Sequence, residues 1–297
     1  MERTTRWAGM LAGFAAVMLV MGCGSGNESL AATGGSSGTG NVDLMPTGEK
    51  KLFFTASGSV FVAGLDGEGA KAISPAADAR GIAVDTVTKR VYWSDHHLGT
   101  LNRANFDGSG SEVLLSSDAN TDRDRLALDH DAGLIFWTTE GVIWSSDLDG
   151  KSAKAITGNE HAVGIAVHPG QKKIYFGDDS HDQIKRCNYD GSGVEVVHQG
   201  PTDSTNPYGV AVDAKAGKMF WISDGKVMGA SLDDTGAKLV GGGAARSIGL
   251  DVFAQKVYWC DQSDDTVNWA SYDGIGPGVI YQGADSGANP AGIVAVP

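Results

Sequence analysis

The sequence predicts an all-β protein: a six-bladed β-propeller of four-stranded antiparallel blades, closed by its C-terminal strand. Three observations carry that prediction. An aromatic pair followed by a Leu-Asp-Gly-like turn recurs six times, at a period of about 41 residues. An apolar run of the Gly-Ile-Ala-Val kind precedes every pair but the first. One further run of that kind, Gly-Ile-Val-Ala-Val at residues 292–296, has no aromatic pair after it.

Composition narrows the field before the repeats are read. The 297 residues include 43 Gly but only 8 Pro, without a collagen period, and carry a formal net charge of −13. An acidic chain with no basic patch is repelled by phosphate backbones, so nucleic acid is not an expected partner. The 3 Cys cannot make a disulfide framework, and stability must come from a buried core.

Residues 1–22 carry Arg3 and Arg6 and then an uncharged stretch over residues 7–22 that runs into Cys23. This reads as a signal peptide, too short and wrongly flanked to span a membrane permanently. Val20-Met21-Gly22-Cys23 resembles a bacterial lipobox, which implies cleavage before Cys23 and a lipid on its thiol. Gly24 after the cysteine implies, by the same resemblance, the outer membrane where the source has one. The competing reading is ordinary secretion with Cys23 removed or left free. Residues 23–49 are rich in Gly, Ser, Thr and Asn and read as the lipidated cysteine and a flexible tether, leaving residues 50–297 for the propeller.

Within the propeller the aromatic pairs are Phe53-Phe54, Tyr92-Trp93, Phe136-Trp137, Tyr175-Phe176, Phe220-Trp221 and Tyr258-Trp259. The turn aspartates are Asp66, Asp107, Asp149, Asp190, Asp233 and Asp273, each followed by Gly except where Asp234 intrudes. Each repeat then holds an apolar first strand, an aromatic second strand, a third strand entering the turn and a fourth leaving it. The first repeat lacks strand one, so residues 292–296 are expected to supply it and close the ring. Consecutive apolar residues suit strands buried on both faces between neighbouring blades. Cys187 falls in a column with Ala63, Ala104, Ser146, Ala230 and Ala270 and is expected to be buried and inert, and Cys260 is too far along the ring to pair with it.

The motifs Tyr92-Trp-Ser-Asp95, Tyr175-Phe-Gly-Asp178 and Tyr258-Trp-Cys-Asp261 resemble the YWTD, or low-density-lipoprotein-receptor class B, repeat of six-bladed propellers. Ala56, Thr139 and Ser223 stand where that family has Asp, and no EGF-like module follows, so the receptors' binding residues are not carried over. The departures alternate. The spacing from first aromatic to turn Asp runs 13, 15, 13, 15, 13, 15, so the ring reads as three copies of a two-blade unit of 83 or 84 residues. Odd blades join strands two and three through Ser57-Gly58, Glu140-Gly141 and Asp224-Gly225, which suit tight hairpins, while even blades have longer loops.

Asp-Gly turns repeated in every blade read as scaffold rather than as calcium loops. The opposite face, where the connections differ, is the expected site for a protein or small ligand. Residues ahead of the apolar runs are expected near the channel: Arg80, Asp124, Val163, Tyr208, Arg246 and Ala291, with Arg125, His161, Asn206 and Asn289 close by. His96, His97 and His181 add a rim. The candidate ligand-binding set is therefore Arg80, His96, His97, Asp124, His161, His181, Tyr208 and Arg246, against the bland reading of a solvated rim. No catalytic residue, metal ligand or cofactor is assigned. Six-bladed lactonases and related hydrolases hold a divalent cation among channel carboxylates, whereas this ring offers one carboxylate, Asp124, and two Arg. The expected function is thus a membrane-anchored, non-catalytic binding or scaffolding lipoprotein of the cell envelope, with a cation-dependent hydrolase as the alternative.

Overall fold

The computed structural model describes residues 50–116, 123–201, 207–283 and 290–296; Cys23, Asn206 and Asn289 lie outside them. Six four-stranded antiparallel sheets form the blades. Blade 1 combines β1 (Lys51–Ala56), β2 (Ser59–Gly64) and β3 (Lys71–Pro75) with β24 (Ile293–Val296). Blade 2 holds β4 (Ala79–Asp85), β5 (Arg90–Asp95), β6 (Thr100–Asn105) and β7 (Glu112–Ser116). Blade 3 holds β8 (Arg123–Asp129), β9 (Leu134–Thr139), β10 (Val142–Asp147) and the short β11 (Lys154–Ala155). Blade 4 holds β12 (Ala162–His168), β13 (Lys173–Asp178), β14 (Gln183–Asn188) and β15 (Glu195–Gln199). Blade 5 holds β16 (Val210–Asp213), β17 (Lys218–Ser223), β18 (Lys226–Ser231) and β19 (Lys238–Gly241). Blade 6 holds β20 (Ala245–Asp251), β21 (Lys256–Asp261), β22 (Thr266–Ser271) and β23 (Gly278–Gln282).

The C-terminal strand closes the ring in the expected register, with Phe53 opposite Val294 and Phe54 opposite Ile293. The core sits between blades. Phe220 and Ile222 of blade 5 pack with Ile248 and Trp259 of blade 6, and Phe53 of blade 1 packs with Ile82 and Trp93 of blade 2. Cys187 and Cys260 are both free and buried, and burial pushes the Cys187 thiol up to about 12.

The two-blade unit has a structural cause. In odd blades the β1–β2, β9–β10 and β17–β18 hairpins turn on residue pairs with positive φ at both positions: Ser57 and Gly58, Glu140 and Gly141, Asp224 and Gly225. Such a turn needs no cap, so Ala56, Thr139 and Ser223 suffice. The longer loops of even blades are capped by the motif aspartate: Asp95, Asp178 and Asp261 each accept a loop N–H at 2.9 to 3.0 Å. Asp95 and Asp261 also take an N–H from the connection that leads into their own blade, from Ala77 and Ala244.

The turn face obeys the same threefold rule. Phe106, Tyr189 and Tyr272, from the turns of even blades, lie 4.5 to 4.7 Å from Phe53, Phe136 and Phe220 of the preceding odd blades. The phenols of Tyr189 and Tyr272 donate to Asp129 and Asp213 at 2.8 and 3.0 Å. Turn aspartates accept from their own turns, as Asp107 does from Ser109 and Asp190 from Ser192. Gly191 shows why the following residue is glycine: its φ is +83°, and a Cβ would stand 1.7 Å from the Ile156 carbonyl oxygen of the preceding blade. These contacts are those of a scaffold.

Candidate functional site: the irregular face and its arginine bolt

First strands converge near the axis so closely that backbones nearly touch. A Cβ on Gly81 would stand 2.5 Å from the Asp124 carbonyl oxygen of the next blade. The Ser94 hydroxyl bridges the same two strands, accepting from Gly81 N at 2.9 Å and donating to Asp124 O at 2.6 Å. At the irregular-face end, β4, β8, β12 and β20 each lose register against their neighbour, a bulge that re-aims the residues ahead of the apolar run.

That bulge sends Arg125, rather than Asp124, into the axis. Arg125 Nη1 donates to the Arg80 carbonyl and, at 2.7 Å, to the Ala291 carbonyl, while Nη2 donates to the Arg246 carbonyl at 2.8 Å. One guanidinium from blade 3 therefore bolts blades 1, 2 and 6. The central cavity beside it measures about 40 Å³ and is lined by Arg80, Arg125, Ser247 and the apolar first strands. It has room for a few waters and is far below the size of a substrate pocket.

Around the bolt the candidate residues separate into three groups. Arg80 lines the central cavity and pairs with Asp78 at 3.1 Å, and His96 N donates to the Asp78 carbonyl at 2.9 Å. The Arg246 guanidinium lies 5.1 Å from the Tyr208 ring centroid. His161 and His181 come together on the rim, edge to face at 6.1 Å. Asp124 sits 3.9 Å from Arg125 Nε at the edge of this cluster, and His97 is an exposed loop residue that joins none of the three.

The rim pair rests on charged residues that sequence reasoning did not single out. Asp178 is fully buried and is held by Lys185 Nζ at 2.8 Å and His181 Nδ1 at 2.9 Å, and Lys185 also reaches Glu160 at 3.1 Å. Burial pushes the Asp178 carboxyl up, but the hydrogen bonds from Lys185 and His181 outweigh it and hold it below the usual carboxylate range. The signal was present, since Asp178 is the motif aspartate of an even blade. Arg125 was legible in another way: it stands in the column Gly81, Arg125, Gly164, Gly209, Ser247, Gly292, where every other member is small.

Chemically the face offers three arginines at its centre, the histidines His96, His97, His161 and His181, and one half-buried tyrosine, Tyr208. Among the described residues no three His, Cys, Asp or Glu side chains gather to hold a metal ion. An arginine bolted across the axis places positive charge where a channel-bound cation would sit.

No protein-family profile matches the chain. Over 152 residues it is 30% identical to low-density lipoprotein receptor-related protein 5-like protein of Homo sapiens, a match covering 49% of this chain and 59% of that one. Over 203 residues it is 29% identical to low-density lipoprotein receptor-related protein 5 of Mus musculus, covering 64% of this chain and 12% of that one. The chain thus spans less than two thirds of either relative. A solved chain from a nidogen/laminin complex shares the fold, with a TM-score of 0.73 at 20% identity, covering 83% of this chain and 98% of that one. With the six blades and their recurring aromatic pairs, these likenesses match the chain to the YWTD, or low-density-lipoprotein-receptor class B, type of six-bladed β-propeller.

Proposed function

We propose that this propeller is a non-catalytic protein-binding module that captures its partner on the irregular face, around Arg80, Tyr208 and Arg246. The Arg125 bolt is the observation that supports this reading most. It fills the axis where a propeller enzyme would place substrate and cation, and with Arg80 and Arg246 beside it sets three arginines at the centre of this face on a chain of net charge −13. Such a surface suits the carboxylates of a protein partner. The similarity to receptor-related proteins and to a chain from a nidogen/laminin complex points the same way.

A photoreactive residue at exposed His97 should trap the partner in cells, and one at Ile275, 72% exposed on the turn face, should not. Reversing both charges, Arg80→Glu with Arg246→Glu, should abolish the His97 crosslink while circular dichroism stays unchanged. Crosslinking from Ile275 alone would move the site to the other side of the disc.

The proposal includes export and anchoring. Arg3 and Arg6, the uncharged stretch over residues 7–22, and Cys23 followed by Gly24 support a lipidated chain held at the cell envelope, in the outer membrane where there is one. The Gly- and Ser-rich residues 24–49 would then carry the propeller away from the bilayer.

A further inference from the structure

One even blade breaks the frame that the other two share. Tyr92 of blade 2 stands opposite Arg103, and Tyr175 of blade 4 opposite Arg186. Each guanidinium lies 5.9 Å from the centroid of its tyrosine ring. Arg103 is further fixed by Glu112 at 2.7 Å and by Asp149 of the next blade at 2.8 Å. Arg186 donates to the Tyr175 hydroxyl at 3.2 Å and pairs with Glu195 at 2.7 Å. Opposite Tyr258 in blade 6, the same position holds Trp269.

Two buried polar atoms are left over as a result. Tyr258 is 1% exposed and Asp251 fully buried, yet the Tyr258 hydroxyl and Asp251 Oδ2 have no hydrogen-bond partner among the described residues. Elsewhere the matching carboxylate oxygen is satisfied from the next blade: Asp85 by His130, Asp129 by Tyr189 and Asp213 by Tyr272. At the seam the residue that matches Tyr189 and Tyr272 is Leu65, which has no polar atom on its side chain. A buried polar group without a partner costs roughly 1–3 kcal/mol, so two together mark either a hydrated pocket or a site for a ligand.

Space is present as well. A cleft of about 690 Å³ opens between blades 6 and 1 on the turn face, with Asp251, Tyr258, Trp269, Lys256, Asp66 and Leu65 in its lining. That volume lies within the range of small-ligand sites. Burial and the neighbouring Asp251 charge push the Tyr258 hydroxyl up to about 12, so it is a neutral phenol at ordinary pH, able to accept a hydrogen bond.

We propose that this seam cleft binds the guanidinium group of an arginine side chain presented by a partner chain, with Asp251 Oδ2 and the Tyr258 hydroxyl as acceptors. The tyrosine half of this arrangement occurs twice in the protein, since Arg103 and Arg186 lie beside Tyr92 and Tyr175 at the equivalent position in blades 2 and 4, with Glu112 and Glu195 as their carboxylate partners. A planar guanidinium spans two acceptors and stacks on an aromatic face, which a lysine ammonium cannot do, and the Asp251 carboxylate repels anions. Lys256 Nζ now sits 3.8 Å from the Trp269 ring centroid. Because the two unpartnered atoms are buried, entry requires this Lys256–Trp269 pair to swing aside. The site is on the opposite face from the arginine bolt and stands whether or not that face binds a partner.

Titration calorimetry of the full chain with N-acetyl-arginine methylamide, and with its lysine and neutral citrulline counterparts, tests the proposal. The arginine probe should saturate one site, with the other two at least tenfold weaker. Asp251→Asn keeps the Oδ1 acceptor that holds Phe253 N and Ala254 N, so it should fold and weaken the arginine probe at least tenfold, as should Tyr258→Phe. Trp269→Arg supplies the guanidinium from within and should abolish binding. No saturation at millimolar probe would overturn the proposal in favour of a cleft holding only water. Equal affinity for the lysine probe, or unchanged binding in folded Asp251→Asn or Trp269→Arg, would overturn it too.

Discussion

At the scale of single residues, two side chains govern the irregular face. Arg125 ties three carbonyls from three other blades, and a hydrogen bond from a charged donor contributes roughly 1.5–3 kcal/mol. Arg125→Met keeps most of the volume and loses every bond, so we expect a loss of about 3 kcal/mol or more, read as a lower denaturant midpoint with an unchanged slope. Asp178 makes a prediction about pH. Its folded-state pKa is depressed, so its contribution is fully present above the unfolded value of about 4 and disappears as pH falls through the lower folded value. Urea unfolding between about pH 5 and pH 2 should therefore show a shallower acid loss in Asp178→Asn than in the parent. An acid limb of equal slope in both would assign the acid sensitivity to other carboxylates. Neither role followed from residue type alone. The direction of Arg125 depends on the β8 bulge, and the burial of Asp178 depends on Lys185 from the neighbouring strand β14 meeting Glu160 from the connection ahead of β12.

Strands were far more legible than side-chain partners, because a strand leaves a pattern of several residues while a contact leaves one. The aromatic pairs located β1, β5, β9, β13, β17 and β21, and the spacing of 13 or 15 distinguished hairpins with positive-φ turns from capped loops. Boundaries moved by a residue or more: the closing strand begins at Ile293 rather than Gly292, and β8 begins at Arg123, ahead of the Leu126 run. Phe106, Tyr189 and Tyr272 had a readable alternation with Leu65, Leu148 and Leu232, but its meaning rests on the face of the preceding blade, which sequence does not display. β24 carries the prediction at this scale. Leu52, Phe53 and Phe54 are all fully buried, and β24 covers their edge. Deleting residues 290–297 should cost about 5 kcal/mol or more through exposed apolar surface and lost ladder bonds, and should appear as a large fall in melting temperature. An unchanged melting temperature would contradict the closure.

The whole molecule combines a threefold scaffold with a face that does not repeat. Scaffold could be read from the sequence because it recurs; the candidate site could be located only as the place where recurrence fails, and its internal pairings, Tyr208 with Arg246 and His161 with His181, needed the structure. At this scale the anchoring proposal predicts that Cys23→Ser moves the chain out of the membrane fraction or leaves its leader uncleaved, as seen by fractionation and gel mobility. Retention of a normally processed Cys23→Ser form would remove the lipid from the account. The seam between blades 6 and 1 also governs when the protein can exist as a ring. The Gly292 N–H reaches Thr55 Oγ1 across 237 positions of chain, so the first blade made by the ribosome waits for the last strand before its sheet is complete. Closing so long a loop is slow, and until it happens the edge of β1 is open to other strands. During synthesis the nascent chain is therefore held in an incomplete, aggregation-exposed form until residues 293–296 are released, a state that chaperones can recognise and that a message truncated ahead of them would make permanent.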